Sequence, residues 1–339
     1  GQKMDAPVSP SPMANAFRTE FTDVEDATRF NTVNQEIMVR YEQNRVYVPR
    51  VVYADSSFFK IFNYEFVYGD KIDALKGENS VVITEETSKK IFGEVDPIGK
   101  VIRYDDRTDF IVRGVVKEPI GHSHFQFDMF LSRNTIRNVW MSNGNYTYVK
   151  LKKGASFDAF KAEMRRNFMK KIEPDVERFL QTTVEELLKG DNAFEYQLMP
   201  IEDIHLHSNK EWEIQQNGNI LYIYVFIGIA LLVIIIAGIN FMNLSTARSG
   251  KRAKEVGVRK VSGASKKMLV TQFLIESIIQ SFIALLIAFI LVELFLPGFN
   301  NILETELYLF NSHLSQTILF SLIVTIFYGL FAGSYPAFF

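Results

Sequence analysis

The chain has 339 residues, with 37 Lys and Arg against 39 Asp and Glu, and no cysteine, so it forms no disulfides. A net charge of −2 conceals two different polymers: residues 1–219 hold 29 of the bases and 34 of the acids, whereas residues 220–339 hold 8 and 5. The first part is ordinary soluble-domain material, and the second is dominated by apolar runs. The 8 bases of the second part all fall between Arg248 and Lys267, a loop between two such runs, so they do not point to nucleic acid.

The soluble part alternates short strands and helices. Pro7 to Pro12 is rich in Pro and Ser and reads as a tether. A helix is expected over Asn15 to Phe21, and strands over Val24 to Val33 and Arg45 to Tyr53. Asp55 or Ser56 can cap a short helix whose phenylalanines must be buried. Val81 to Ile83 is a strand. Thr84 caps the next helix, with Glu85 and Glu86 in its first turn, Lys89 and Lys90 in its last, and Gly93 after it. Strands follow over Lys100 to Tyr104, Asp109 to Lys117, Phe125 to Ser132 and Tyr146 to Lys152. Ser156 caps a helix with Phe157, Phe160, Met164 and Phe168 on one face. Pro174 is expected to break it, a second helix to run to Gly190, and Phe194 to Pro200 to form a last strand. The pattern is α+β, small mixed sheets with helices in two lobes, the second inserted at about 80–120.

Three spans follow, an all-α transmembrane bundle: residues 220–242, 268–296 and 314–339. An uncharged helix of 23 residues crosses a hydrocarbon core of about 30 Å. The 243–267 loop, dense in Lys and Arg, marks the cytoplasmic side. Pro297 to His313 has no base and belongs on the other side, together with the domain at 1–219. A domain of that size outside the membrane needs an export element, so a further span is expected upstream.

The loop carries Asn243, Ser245, Arg248, then Glu255-Val256-Gly257-Val258-Arg259-Lys260, then Gly263-Ala264, then Phe273-Leu274-Ile275-Glu276. In this order, between two spans, they resemble the first cytoplasmic loop of FtsX-like and MacB-like ABC transporter permeases. SSFFKIFNYEFVYGD, NSVVITEETSKKIFGEVDPIGKVI, FIVRGVVKEP and HFQFDMFLS are similar to the periplasmic core domain of the MacB-like members. AGSYPAFF resembles the close of the first half in members that repeat the unit.

The resemblance implies a multi-pass permease subunit in a bacterial inner membrane, with its large domain on the periplasmic side. It implies an ABC-type ATPase on a partner chain, where ATP and Mg are held, and a second permease copy or second half. A periplasmic adaptor or other periplasmic protein is a further implied partner, as are membrane lipids. Docking of the ATPase falls on Arg248, Lys251, Arg252, Glu255, Val256, Gly257, Val258, Arg259 and Lys260. Lys251–Glu255 and Glu255–Arg259 are i,i+4 pairs that support a short surface helix. Gly257 inside it is tolerable where another backbone packs closely. On charge alone, the same loop also reads as a lipid-held basic turn.

No cofactor site is expected on this chain. Gly93 to Val101 has five residues between its glycines where a phosphate loop has four, and Val follows its Lys in place of the Mg²⁺-coordinating Ser or Thr. His122 and His124 with Asp128, and His205 with His207, supply too few ligands for a metal centre and read as structural. No catalytic constellation stands out. Gln272, Glu276 and Gln280 form a polar stripe on the second span, read chiefly as a helix–helix hydrogen-bonding face. Gly329 and Gly333 suit close helix packing. With no charge at the centre of any span, the expected role is force transmission or MacB-like export. Lipoprotein extraction and control of a cell-wall hydrolase are the alternatives within the family. A sensory receptor is the alternative from another class.

Overall fold

The computed structural model describes residues 5–118, 123–133, 136, 138–189, 196–215, 217–247, 256–303, 307–309 and 314–338. It divides into two compact units, 1–220 and 221–339.

In the first unit an 11-stranded mixed sheet carries the fold. Its strands are β1 (Ser9–Pro10), β2 (Val24–Val33), β3 (Ile37–Tyr41), β4 (Asn44–Val48), β5 (Val51–Ala54), β6 (Phe66–Gly69), β7 (Ser80–Thr84), β8 (Val101–Tyr104), β9 (Thr108–Val116), β10 (Met129–Ser132) and β11 (Asn143–Leu151). The order is β1-β11-β2-β5-β10-β7-β9-β8-β3-β4, with β6 added to the far end of β9. Among the described strands, only β10–β5 and β7–β9 pair in parallel.

Successive side chains of a strand point to opposite faces, and the central strands use both. Phe30, Val52, Ala54, Val82 and Phe130 join one apolar cluster with the helix α2 (Phe58–Ile61). Their neighbours Val51, Val81, Ile83, Met129 and Leu131 join a second, capped by Ile91 and Phe92 of α3 (Glu85–Phe92). Phe17 of α1 (Met13–Glu20) and Phe160, Phe168 and Ile172 of α4 (Phe157–Leu180) build a third against Val24 and Ala27.

Several sequence expectations change here. The strands join in one continuous 11-stranded sheet where small sheets were expected, and the segment at 80–120, where the inserted lobe was expected, takes part in it. Its apolar residues share a cluster with Ile37, Val39, Val51 and Met129, because β7 pairs with β10 and β8 with β3. Pro7 to Pro12 is no free tether: Ser9 and Pro10 pair with β11, and Ser9 Oγ donates to Asn145 O at 2.9 Å. The single strand expected over Arg45 to Tyr53 is two, interrupted at Pro49-Arg50, where proline has no N–H for a ladder. Residues 125–127 precede β10 outside the sheet, Phe125 and Phe127 turning into the first cluster, and Asp128 leads into β10 with backbone bonds to Arg50 and Thr84.

Pro174 does not end its helix. Ile172 and Val176 on either side of it are buried, and the Asp175 carboxylate accepts the Trp140 N–H at 2.5 Å, so tertiary packing carries α4 through the proline. The helix stops at Gln181 in the left-handed region, and α5 (Val184–Lys189) follows. Residues 196–200 form no strand. Tyr196 instead donates its hydroxyl to Trp140 O at 2.8 Å. A 3-10 turn (Ile201–Asp203) and α6 (Ile204–His207) lead to the first long apolar helix.

The second unit contains α7 (Ile220–Ala247), a short helix α8 (256–261), α9 (Lys266–Leu303) and α10 (Leu314–Phe338). α7, α9 and α10 are long and apolar enough to cross a membrane. α9 passes Pro297 and, with 38 residues, runs about 57 Å, well beyond a hydrocarbon core of about 30 Å. Small residues set the α9–α10 contact. A Cβ on Gly329 would lie 2.9 Å from Ile278 Cα, and one on Gly333 would lie 2.6 Å from Ser277 Oγ. The glycine pair therefore packs within the subunit.

Candidate coupling site at the membrane hinge

The loop between α7 and α9 is built in its second half by hydrogen bonds that the local residues make almost inevitable. Gly263 sits at φ +93°, a conformation costly for any residue with a Cβ. The Ala264 N–H reaches Arg259 O at 2.9 Å and the Gly263 N–H reaches Lys260 O at 3.0 Å. This pair of bonds is the Schellman closure of a helix, and it ends α8. Two residues on, Ser265 begins the next helix: its Oγ accepts the Met268 N–H at 3.3 Å. α8 and α9 are thus joined by a turn capped on both sides.

A side-chain clamp adds to the backbone closure. Arg259 donates from a terminal guanidinium nitrogen to Gln272 Oε1 at 2.6 Å, linking α8 to the second turn of α9. Gln272 is the first member of the polar stripe expected on this helix. The other two meet each other, Gln280 Nε2 donating to Glu276 Oε1 at 3.5 Å. The helix–helix face lies one residue over, at Ser277, Ile278 and Ser281 against Gly329 and Gly333. Beside the stripe, the Ser277 and Ser281 hydroxyls at this face donate to carbonyls of their own helix.

Of the docking residues expected from the sequence, Val256, Gly257, Val258, Arg259 and Lys260 lie on α8. Arg248, Lys251, Arg252 and Glu255, and with them both i,i+4 pairs, lie outside the described residues. Among the described residues a Cβ on Gly257 would meet nothing within 4 Å, so no described contact requires glycine there. Val258 is 61% exposed, Val261 91% and Met268 62%. Val261 and Met268 were not singled out from sequence. The visible signal was an apolar residue at each end of a turn whose other residues are polar or small.

Two of the described histidines face side-chain partners of their own. His124 Nε2 lies 2.7 Å from Tyr148 Oη, and Asp128 is taken by a two-point contact with Arg50, at 3.0 and 2.5 Å. His207 faces Asp203 at 3.6 Å, and His122 lies outside the described residues. Among the described residues no three His, Asp or Glu side chains gather as ligands.

Comparison with known proteins places these parts. The profile of the MacB-like periplasmic core domain matches residues 2–167, and that of the FtsX-like permease C-terminal domain matches residues 227–338. An ABC transporter permease of Bacillus subtilis, YknZ, is 26% identical over 216 residues, covering 62% of this chain and 47% of its own. The macrolide export ATP-binding/permease protein MacB of Mannheimia succiniciproducens is 23% identical over 283 residues, covering 83% of this chain and 40% of its own. The chain thus spans less than half the length of these two relatives. Among solved structures, a domain of a protein assigned as a permease from Porphyromonas gingivalis superposes with a TM-score of 0.46 at 23% identity, covering 54% of this chain and 78% of that one. With a match to the MacB-like periplasmic core domain, a permease-domain match and three apolar helices in one chain, the protein belongs to the FtsX-like and MacB-like ABC transporter permeases.

Proposed function

We propose that this chain is the force-transmitting permease subunit of an ABC transporter, driven by ATP hydrolysis on a separate ATPase chain. The carrying observation is the capped hinge: α8 is closed by a Schellman turn, clamped through Arg259–Gln272, and presents Val258, Val261 and Met268 outward. Exposed apolar residues set among Lys260, Lys266 and Lys267 suit a protein groove with an acidic rim. Gly257 lets the partner's backbone come close. A push on α8 passes into α9 through the turn and the clamp, and into α10 through the Gly329–Gly333 contact.

In this reading the two working parts are an outer domain at 1–219 and a permease domain at 220–339, in a bacterial inner membrane with the outer domain on the periplasmic side. The MacB relatives are named for macrolide export and carry ATP-binding and permease functions together. Here the work delivered outside is export or the reshaping of a periplasmic partner, with no catalytic step on this chain.

The test exploits the open space at Gly257. Gly257→Leu and Val261→Asp disturb no contact among the described residues, so folding of the chain in nanodiscs should be unchanged. Both should weaken ATPase binding at least about tenfold, the loss of roughly 1.4 kcal/mol at an interface core. Undiminished complex formation and undiminished ATPase stimulation in both variants would refute the reading.

A further inference from the structure

The short strap that joins the sheet to α7 carries a feature that neither the fold nor the coupling hinge uses. Trp212 is 60% exposed and sits at φ +62°, a region that bulky residues seldom enter. The conformation is held from several sides. Trp212 O accepts the Tyr146 hydroxyl at 2.6 Å, and the preceding Glu211 N–H reaches Asp5 O at 2.8 Å. Ser208 Oγ donates to the Glu213 carboxylate, and Ile214 packs into the first apolar cluster. The strap thus turns a large apolar ring outward and keeps it there.

How far the strap can lie from the span is limited by the covalent chain. Asn217 Nδ2 donates to Ser208 O at 3.2 Å, closing residues 208–217 into a loop. Helix α7 and its apolar run both begin at Ile220, so no helical stalk separates this loop from the span. Three residues reach about 10 Å at most, which keeps the neck of the loop at the edge of the hydrocarbon. Tyr222 and Tyr224 follow in the first turns of α7, both exposed. Trp and Tyr are the residues that favour the headgroup layer, where one end of the ring is apolar and the other wet.

We propose that Trp212 is a lipid foot: its indole seats in the headgroup layer of the bilayer that α7 crosses, and fixes the strap against it. Glu211 and Glu213 flank the indole, so the surface it fits is zwitterionic phospholipid, and anionic headgroups weaken the contact. The proposal depends on α7 spanning a membrane and is independent of the ATPase.

The chain has two tryptophans, and Trp140 is only 8% exposed, so fluorescence can isolate the foot. The full chain is placed in phosphatidylcholine nanodiscs carrying bromine at shallow or deep acyl positions, beside Trp212→Phe as the Trp140-only baseline. The difference signal should be quenched at least about twofold more by shallow than by deep bromines, and its quenching by acrylamide should fall relative to detergent. Neutral acrylamide avoids repulsion by Glu211 and Glu213. Raising the share of phosphatidylglycerol should reduce the bromine effect. Free access of acrylamide without bromine quenching would place Trp212 in water. Protection from both would place it against protein, such as a second copy. Either result overturns the proposal.

Discussion

Arg29 shows how much of this fold hangs on single buried charges. It is 1% exposed, donates from Nε to Asp55 Oδ1 at 3.0 Å, and donates from a terminal nitrogen to Ser11 O at 2.6 Å. Arg18 approaches the same carboxylate at 3.8 Å and donates to Ala27 O and Ser57 Oγ, both at 2.9 Å. These bonds pin the N-terminal segment, α1 and the start of α2 to β2. Arg29→Met should lower stability by about 3–5 kcal/mol, because Asp55 is left buried with its main partner gone. Adding Asp55→Leu should restore part of it, and denaturant unfolding of the two variants checks both. His124 gives a pH prediction. Burial beside Phe125 and Tyr148 holds its pKa below the ordinary 6.5. The unfolded chain then takes up a proton near pH 6.5 that the folded chain resists, so stability falls as pH drops below that value. The His124 contribution to the slope is at most about 1.4 kcal/mol per pH unit, and that contribution should be missing in His124→Gln when melts are compared between pH 5 and 7.

At the scale of elements, the α9–α10 pair depends on the absence of side chains. Ile278 Cα, a backbone atom, stands where a Cβ on Gly329 would need room, and backbone cannot rotate aside. Gly329→Leu should push the helices apart and lower stability by about 1–3 kcal/mol, read as an earlier transition in mixed-micelle unfolding. The local signals of a helix–helix contact were legible: two glycines four apart on an apolar helix. The partner was not, because nothing in a single sequence says which face of another span a small-residue groove will meet. α4 makes the opposite point. Proline at position 174 is a local stop signal, and burial of Ile172 and Val176 overrides it.

For the whole molecule, the charge asymmetry predicts that the hinge and the sheet domain lie on opposite sides of the membrane. The chain has no cysteine, so single introduced thiols report cleanly. Ser262→Cys in the exposed hinge turn should react with an impermeant maleimide only in inverted vesicles. Glu94→Cys, exposed beyond α3, should react only in right-side-out ones. Reaction of both from one side would overturn the orientation and with it the coupling proposal.

Hydropathy and charge along the chain were enough to establish three apolar spans, a basic hinge and a soluble α+β domain, because these depend on short-range composition that every residue carries locally. Helix ends were readable for the same reason: Thr84 accepts the Thr87 N–H at 3.3 Å, and Gly93 follows the helix at φ +62°. The continuous sheet was not legible. It is assembled from pairings such as β1 with β11, more than 130 residues apart, and from parallel neighbours brought together by chain crossovers. Nor could composition say that Ser9 to Pro12 would be buried, that Arg259 would reach Gln272, or that Val261 would stand clear of the hinge. Those outcomes are set by where distant segments happen to pack, and only the folded chain decides that.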